Sequence, residues 1–505
     1  EETIIEITDK RTETTKTFLL EDGSYYVAQY DTAIHYPDAD GVWQDIDNTL
    51  TARGSEISTS NARIKFAKKT AGNDTIFTLH DGNRKLTLAL NGAEKKVPGQ
   101  ITNHQTEFGE DATQLQKMTT LDKVAASVKY ENILDGVDLE YVVNGRDIKE
   151  NIIVKEKLDS YVYSFTMSLN NLTAVRNDAG ENVISDAASG EAVYLIPAAF
   201  MYDANDSSSS AVTTELTDHG NGKYTITISA DSAWINADDR AFPVTIDPPI
   251  YTGSSSSSVT DIYMPTSGAS TTNSTALYVG STWRSYWKLN TLPSLPESAY
   301  ITNATFTASC YTTTHMQGYV AVYDVTTNWD STLNWSKVTA TTNPQGVPAE
   351  NYTDFQELYC YEEYGGYYNN YMFKDPCWNI TPIVKKWYSG ENYGLTMAPA
   401  AGMAFTGTAM FRSSTYSDSA KRPRLCITYR DMKGLEDYWS YSSQSAGFAG
   451  TGSVNNATGN LVFTIPTLTS TDALIPFTPA LVYNSALASM NYAFSNAQTA
   501  FSSTY

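Results

Sequence analysis

Val137-Asp138-Leu139-Glu140-Tyr141-Val142-Val143, then Asn144-Gly145, then Ile148 to Val154: apolar and polar residues alternate on both sides of a turn dipeptide. Period two places alternate side chains on opposite faces of an extended strand, and Asn-Gly supplies the positive φ that a tight hairpin needs. The same signal recurs outward from this stretch. Ile76 to Leu90 reads as two strands about Asp81-Gly82, suiting a type I′ hairpin. Tyr224-Thr-Ile-Thr-Ile-Ser and Ala304 to Tyr311 alternate likewise, whereas helical spacing is scarce. Ile380 to Trp387 is the best short helix candidate, with a threonine before proline at its start. The expectation is an all-β, multidomain chain: a central jelly-roll or β-sandwich module flanked by β-rich regions.

The chain has 505 residues, and at about 150 residues per domain it has room for roughly three cores. Its net charge of −22 argues against a nucleic-acid partner, which needs a Lys/Arg face. No apolar run approaches the roughly 20 residues of a membrane span. The opening stretch Glu1 to Lys10 is polar, so no export signal is read there. Residues 1–250 hold 22 basic and 40 acidic side chains, while residues 251–430 are nearly neutral. The second stretch also holds 19 of the 35 tyrosines, 6 of the 9 tryptophans and all four cysteines. Composition therefore turns over at Gly253 to Ser258 and again near Arg430 to Asp437. A further split near Tyr130 gives the expected division: 1–130, 131–250, 251–430 and 431–505.

The middle stretch resembles a DNRLRE domain, a secreted jelly-roll module related to carbohydrate-binding modules. The resemblance rests on Asp261-Ile-Tyr, Leu277-Tyr-Val-Gly280, Trp287-Lys-Leu-Asn-Thr-Leu-Pro, Asn328-Trp-Asp, Trp378-Asn-Ile-Thr, Trp387-Tyr-Ser-Gly and Arg422-Pro-Arg-Leu-Cys-Ile-Thr-Tyr429. The flanks resemble wall-associated RHS-repeat proteins of Gram-positive anaerobes. There the matching pieces are Tyr36-Pro-Asp-Ala-Asp-Gly-Val-Trp, Glu131-Asn-Ile-Leu-Asp-Gly-Val-Asp, Ala241-Phe-Pro-Val-Thr-Ile-Asp-Pro248 and Gly459-Asn-Leu-Val-Phe463. The last of these is similar to the opening of an RHS/YD-repeat shell. The resemblance implies a secreted or cell-wall location.

Few residues suggest catalysis. His35, His80, His104, His219 and His315 are scattered, and no zinc, Gly-x-Ser-x-Gly or phosphate-loop pattern occurs. Asp38, Asp40, Asp45 and Asp47 lack the spacing of a calcium loop and read as turn chemistry. No enzyme, cofactor or catalytic residue is expected. An even cysteine count in a secreted context suggests a disulfide, with Cys360–Cys377 the favoured pair. That bridge closes a loop of about 17 residues, stabilising by roughly 3 kcal/mol. For Cys310 and Cys426, disulfide and buried thiol are both open.

Between Cys360 and Cys377 lies a dense aromatic tract: Tyr361, Tyr364, Tyr367, Tyr368 and Tyr371 around Gly365-Gly366 and Asn369-Asn370. These breaks read as a loop. Tyrosine offers a rigid apolar face with a hydroxyl, which suits protein hot spots and stacking on sugars. Packing of the rings against the sandwich edge is the alternative. Trp283, expected outside its strand, joins them as an exposed candidate, whereas one of Tyr286 and Trp287 should face the core.

Three functions follow. The leading expectation is a non-catalytic scaffold whose sandwich binds a glycan or host glycoprotein. The alternatives are a surface adhesin that captures a host protein such as an immunoglobulin, and a ligand-free carrier region of an RHS toxin-delivery protein. The last predicts that Leu461-Val-Phe-Thr-Ile and Leu481-Val-Tyr are exposed apolar strands.

Overall fold

The computed structural model describes residues 4–72, 74–104, 112–178, 180–253, 258–267, 274–296, 299–312, 315–363, 367–372, 375–431, 434–435, 439–456, 459–467 and 480–485. For residues 361–363 and 367–372 it describes the backbone alone. Strands dominate throughout, as the period-two reading expects.

The opening stretch forms the hairpin Val137–Asn144 and Asp147–Val154. Asn144 pairs with Asp147, so Gly145-Arg146 makes the turn, one position beyond the Asn-Gly reading. Gly145 has φ +61° and Arg146 is not in the positive region, the pattern of a type II′ turn. The hairpin at Phe77–Asp81 and Arg84–Leu90 repeats this, with Gly82 at φ +62° as the first central residue in place of the expected type I′.

Two eight-stranded antiparallel sheets make the first body. One runs from Val212–Asp218 through Val162–Asn170 and Phe77–Asp81 to Thr51–Arg53. The other contains Lys95–Asn103, Ala125–Leu134, the opening hairpin and Val244–Asp247. Alternation sends one face of each sheet inward, where a single buried cluster extends from Leu50 to Ile250. Phe66, Phe77 and Tyr141 meet across it, with ring centroids 5.3–5.6 Å apart. Position 130/131, the expected first division, falls inside the strand Ala125–Leu134 of this body.

The second body is a sandwich. Its nine-stranded sheet includes Met316–Asp324, Leu395–Pro399 and Trp283–Leu289. The facing six-stranded sheet includes Ala299–Thr307 and Arg424–Asp431. Its other half comes from the start of the chain: Thr15–Leu19 and Tyr25–Gln29 pair onward, and Tyr25–Gln29 lies beside Arg424–Asp431. Tyr25 and Tyr429 stack with centroids 5.2 Å apart. Leu19, Tyr25 and Val27 therefore share a core with Trp287, Trp378 and Trp387. The first body is thus an excursion between neighbouring strands of the second body's sheet.

Trp287 packs in that core, while Tyr286 faces the other side onto Trp329 and donates to the Gly346 carbonyl at 2.9 Å. Both residues are buried because both faces of this sheet are covered. The helix Thr381–Tyr388 forms where expected, with Pro382 in its first turn and Ile383, Val384 and Trp387 turned inward.

A separate four-stranded sheet follows: Tyr441–Ser445, Thr451–Asn455, Leu461–Pro466 and Ala480–Asn484. Leu481, Val482 and Tyr483 of its edge strand are about half exposed (48–52%), and Ile465 and Val454 are exposed as well.

Candidate functional site

A cleft of about 730 Å³ lies where the two bodies meet. Each wall presents charged groups on well-formed elements. Asp31 follows the strand Tyr25–Gln29 and pairs with Arg422, whose Nη1 donates to Oδ2 at 3.2 Å. The Arg422 Nε donates to the Tyr416 carbonyl at 2.6 Å, fixing the guanidinium plane. Burial raises the Asp31 carboxyl above its ordinary range, with Arg422 pulling the other way. Asp261 accepts from the Ser414 amide at 2.7 Å and the Ser414 hydroxyl at 2.9 Å, yet burial pushes it up to about 6. Asp147, at the start of the second hairpin strand, accepts from the Thr252 amide at 2.8 Å and is likewise pushed by burial to about 6.

Lys149 lies two residues further along that strand. Its Nζ donates to Asp247 Oδ2 at 2.6 Å, a pair almost wholly out of solvent. Burial depresses the Lys149 ammonium, and Asp247 opposes that shift. A second joint lies at the turn Asp203–Ser207. Asp206 accepts from the Thr275 hydroxyl and the Tyr311 hydroxyl, each at 2.7 Å, and Arg412 stands 3.8 Å away. Arg412 is itself stacked between Tyr311 and Tyr416. One aspartate of the first body thus engages three side chains of the sandwich. Chemically, this junction can take up protons near pH 6 on carboxylates that face both bodies.

The residues singled out in the sequence lie elsewhere. The tract read as a loop is a hairpin: Asp354–Glu363 pairs with Tyr367–Met372, placing Tyr361 opposite Asn370, Glu362 opposite Tyr368, and Glu363 opposite Tyr367. Tyr371 pairs with Cys360 in the same ladder, and Tyr364 lies outside the described residues. Backbone pairing overrides the turn preference of Asn369-Asn370, which sits within the second strand. Trp283 opens the strand Trp283–Leu289 and is partly buried, packed on Tyr263 and Tyr278 at 5.7 and 5.6 Å. Two strands separate it from the tyrosine hairpin.

The four cysteines are free thiols. Cys360 is buried on the nine-stranded sheet and donates to the Thr312 carbonyl at 3.4 Å. Cys377 is exposed on an edge strand of the opposite sheet, so the favoured pair is split between two layers. Asp38 behaves as a turn residue: its Oδ1 accepts from the amides of Asp40 and Val42 at 3.0 and 2.9 Å. Asp261 and Arg422 fall inside the quoted motif pieces, but nothing local marks them as cleft residues. Among the described residues no group of three or more His, Cys, Asp or Glu is placed to hold a metal ion.

Fold and junction thus define an all-β protein of two interlocked bodies and a trailing sheet. No family model matches the chain. It is similar to the tRNA nuclease WapA of Bacillus subtilis (strain 168), at 26% identity over 459 residues, covering 85% of this chain and 18% of that protein. The tRNA3(Ser)-specific nuclease WapA of Bacillus spizizenii is similar to the same extent. So is the tRNA(Glu)-specific nuclease WapA of Bacillus subtilis subsp. natto, over 460 residues. The chain spans less than a fifth of the length of these relatives.

These names overturn two expectations: that the protein is a non-catalytic glycan-binding scaffold, and that no enzyme is involved. Local sequence motifs could not reveal this, because the resemblance lies along the chain and not in a catalytic signature. The relatives are wall-associated secreted proteins, in agreement with an extracellular or cell-wall location. Among the described residues no helix is long and apolar enough to cross a membrane.

Proposed function

We propose that this chain is the carrier portion of a larger wall-associated, RHS-type nuclease protein. The observation behind the reading is the coverage: similarity runs along 85% of this chain yet takes in only 18% of the tRNA nucleases it matches. The trailing sheet supports it. An edge strand bearing Leu481, Val482 and Tyr483 half in solvent is a ready template for further strands of the same polypeptide. In this reading the sandwich is a DNRLRE-like module. The interlocked bodies hold it at a fixed attitude, and the nuclease acts from another part of the protein on tRNA.

The test is an in-frame deletion of residues 4–431 within the full-length protein of the producing bacterium. Two measurements are made: tRNA cleavage by the lysate, and tRNA cleavage in neighbouring cells in co-culture. The carrier reading expects lysate activity to persist while cleavage in neighbours is lost. Undiminished cleavage in neighbours sinks the carrier role, and a wild-type lysate that leaves tRNA intact sinks the nuclease.

A further inference from the structure

A second pocket, of about 300 Å³, sits under the Gly145-Arg146 turn, between Tyr36, Asn48, Arg63 and Asp81. Two guanidiniums line it in an otherwise acidic body. Arg63 is partly buried, and among the described residues its Nη1 donates to the Arg146 carbonyl, at 3.4 Å. Its Nη2 is shielded from solvent and has no hydrogen-bond partner among the described residues. Asp81 faces the same pocket but is committed elsewhere: Oδ2 accepts from Arg84 Nη2 at 2.9 Å and from the Tyr194 hydroxyl at 3.4 Å. Arg146 meets Glu13 at 3.2 Å on the outer side, where Glu13 is exposed and free to swing away.

Asp81 and Asp147 offset the Arg63 charge only through space, and a shielded guanidinium donor with no acceptor of its own is costly. Its planar fork matches the paired oxygens of a carboxylate or phosphate. We propose that this pocket binds a small organic oxyanion, seated between Arg63 and Arg146. A turn about the last side-chain torsion of Arg63 presents Nη2 to the guest, and Arg146 closes over it from the turn. Asn48 holds the wall in place by donating to the Val124 and Gly145 carbonyls, each at 2.8 Å. Tyr36 and Ile46 supply the apolar side that a small carbon skeleton needs. The volume lies at the small end of ligand pockets, which favours a metabolite-sized anion over a polymer.

Isothermal titration of the whole chain in chloride buffer tests this, with inorganic phosphate in one arm and acetate in the other. The two arms separate phosphate from carboxylate recognition. Saturable binding in either arm is expected, weakened by about tenfold or more in Arg63→Gln and in Arg146→Gln. It should be unchanged in Arg53→Gln, which removes the same charge from an exposed strand. If Arg63→Gln does not fold, Arg146→Gln and the 31P line width of added phosphate decide the matter. Absence of saturable binding in both arms at millimolar anion, or equal binding in wild type and Arg146→Gln, overturns the proposal.

Discussion

The first body and the sandwich are closed by different means. The first body relies on aliphatic and Phe/Tyr contacts inside, and on the buried Lys149–Asp247 pair behind one sheet. The sandwich relies on three fully buried tryptophans, Trp287, Trp378 and Trp387. The trailing sheet has neither device: Val462 is buried, but Leu481, Val482 and Tyr483 on its edge stay about half in solvent. All three are built of strands, so closure here depends on what faces a sheet.

The largest expected effects strike the two closing devices. Lys149→Ala leaves Asp247 charged and unpaired at 0% exposure, and should destabilise by about 3–5 kcal/mol in urea unfolding of the first body. Trp387→Ala should cost a similar amount, about 3–5 kcal/mol, in the sandwich transition. If the two bodies unfold together in both variants, they behave as one cooperative unit.

The pH dependence sharpens the contrast at the cleft. Asp147 and Asp261 sit near 6 when folded, above their ordinary 3.8, so the assembled state binds more protons than the unfolded one between those values. Their contribution is full at low pH and is lost as pH rises through about 6. Unfolding midpoints should therefore fall from about pH 4 to about pH 6.5, and Asp147→Asn with Asp261→Asn should flatten that fall. A profile unchanged by the double variant would show that these carboxylates do not govern the junction. Glu150, buried beside Tyr141 and pushed up by burial to about 8, acts with the same sign inside the first body.

Smaller effects follow. Asp206→Ala removes three partners at the second joint and should cost about 1–3 kcal/mol, read as faster proteolysis between residues 248 and 258 with both cores intact. Leu481→Ser on the trailing sheet should stay within about 0.5 kcal/mol in this chain. A much larger cost in the full-length protein would mean that further strands cover that edge.

The hairpin at Val137–Val154 and the helix Thr381–Tyr388 were legible because their signals are local: alternation, a turn glycine, a proline in the first turn. What escaped depends on distance along the chain. No pattern in Tyr25–Gln29 announces that its partner strand lies some 400 residues away at Arg424–Asp431. Asp206 has no signature of its own, because its three partners come from separate strands and loops of another body. The tyrosine tract misled for the opposite reason: Asn369-Asn370 is a strong local turn signal, but the neighbouring strand Asp354–Glu363 offers a ladder that outweighs it.

The adjacency of Tyr25–Gln29 and Arg424–Asp431 also sets how the molecule would carry tension. A pull applied at residue 5 and residue 431 enters and leaves through one sheet, so its hydrogen bonds bear the load. The whole excursion from Ile34 to Thr252 hangs beside that path, like a parcel clipped to a taut line. The first body and its arginine pocket would keep their shape under a force that begins to peel the sandwich.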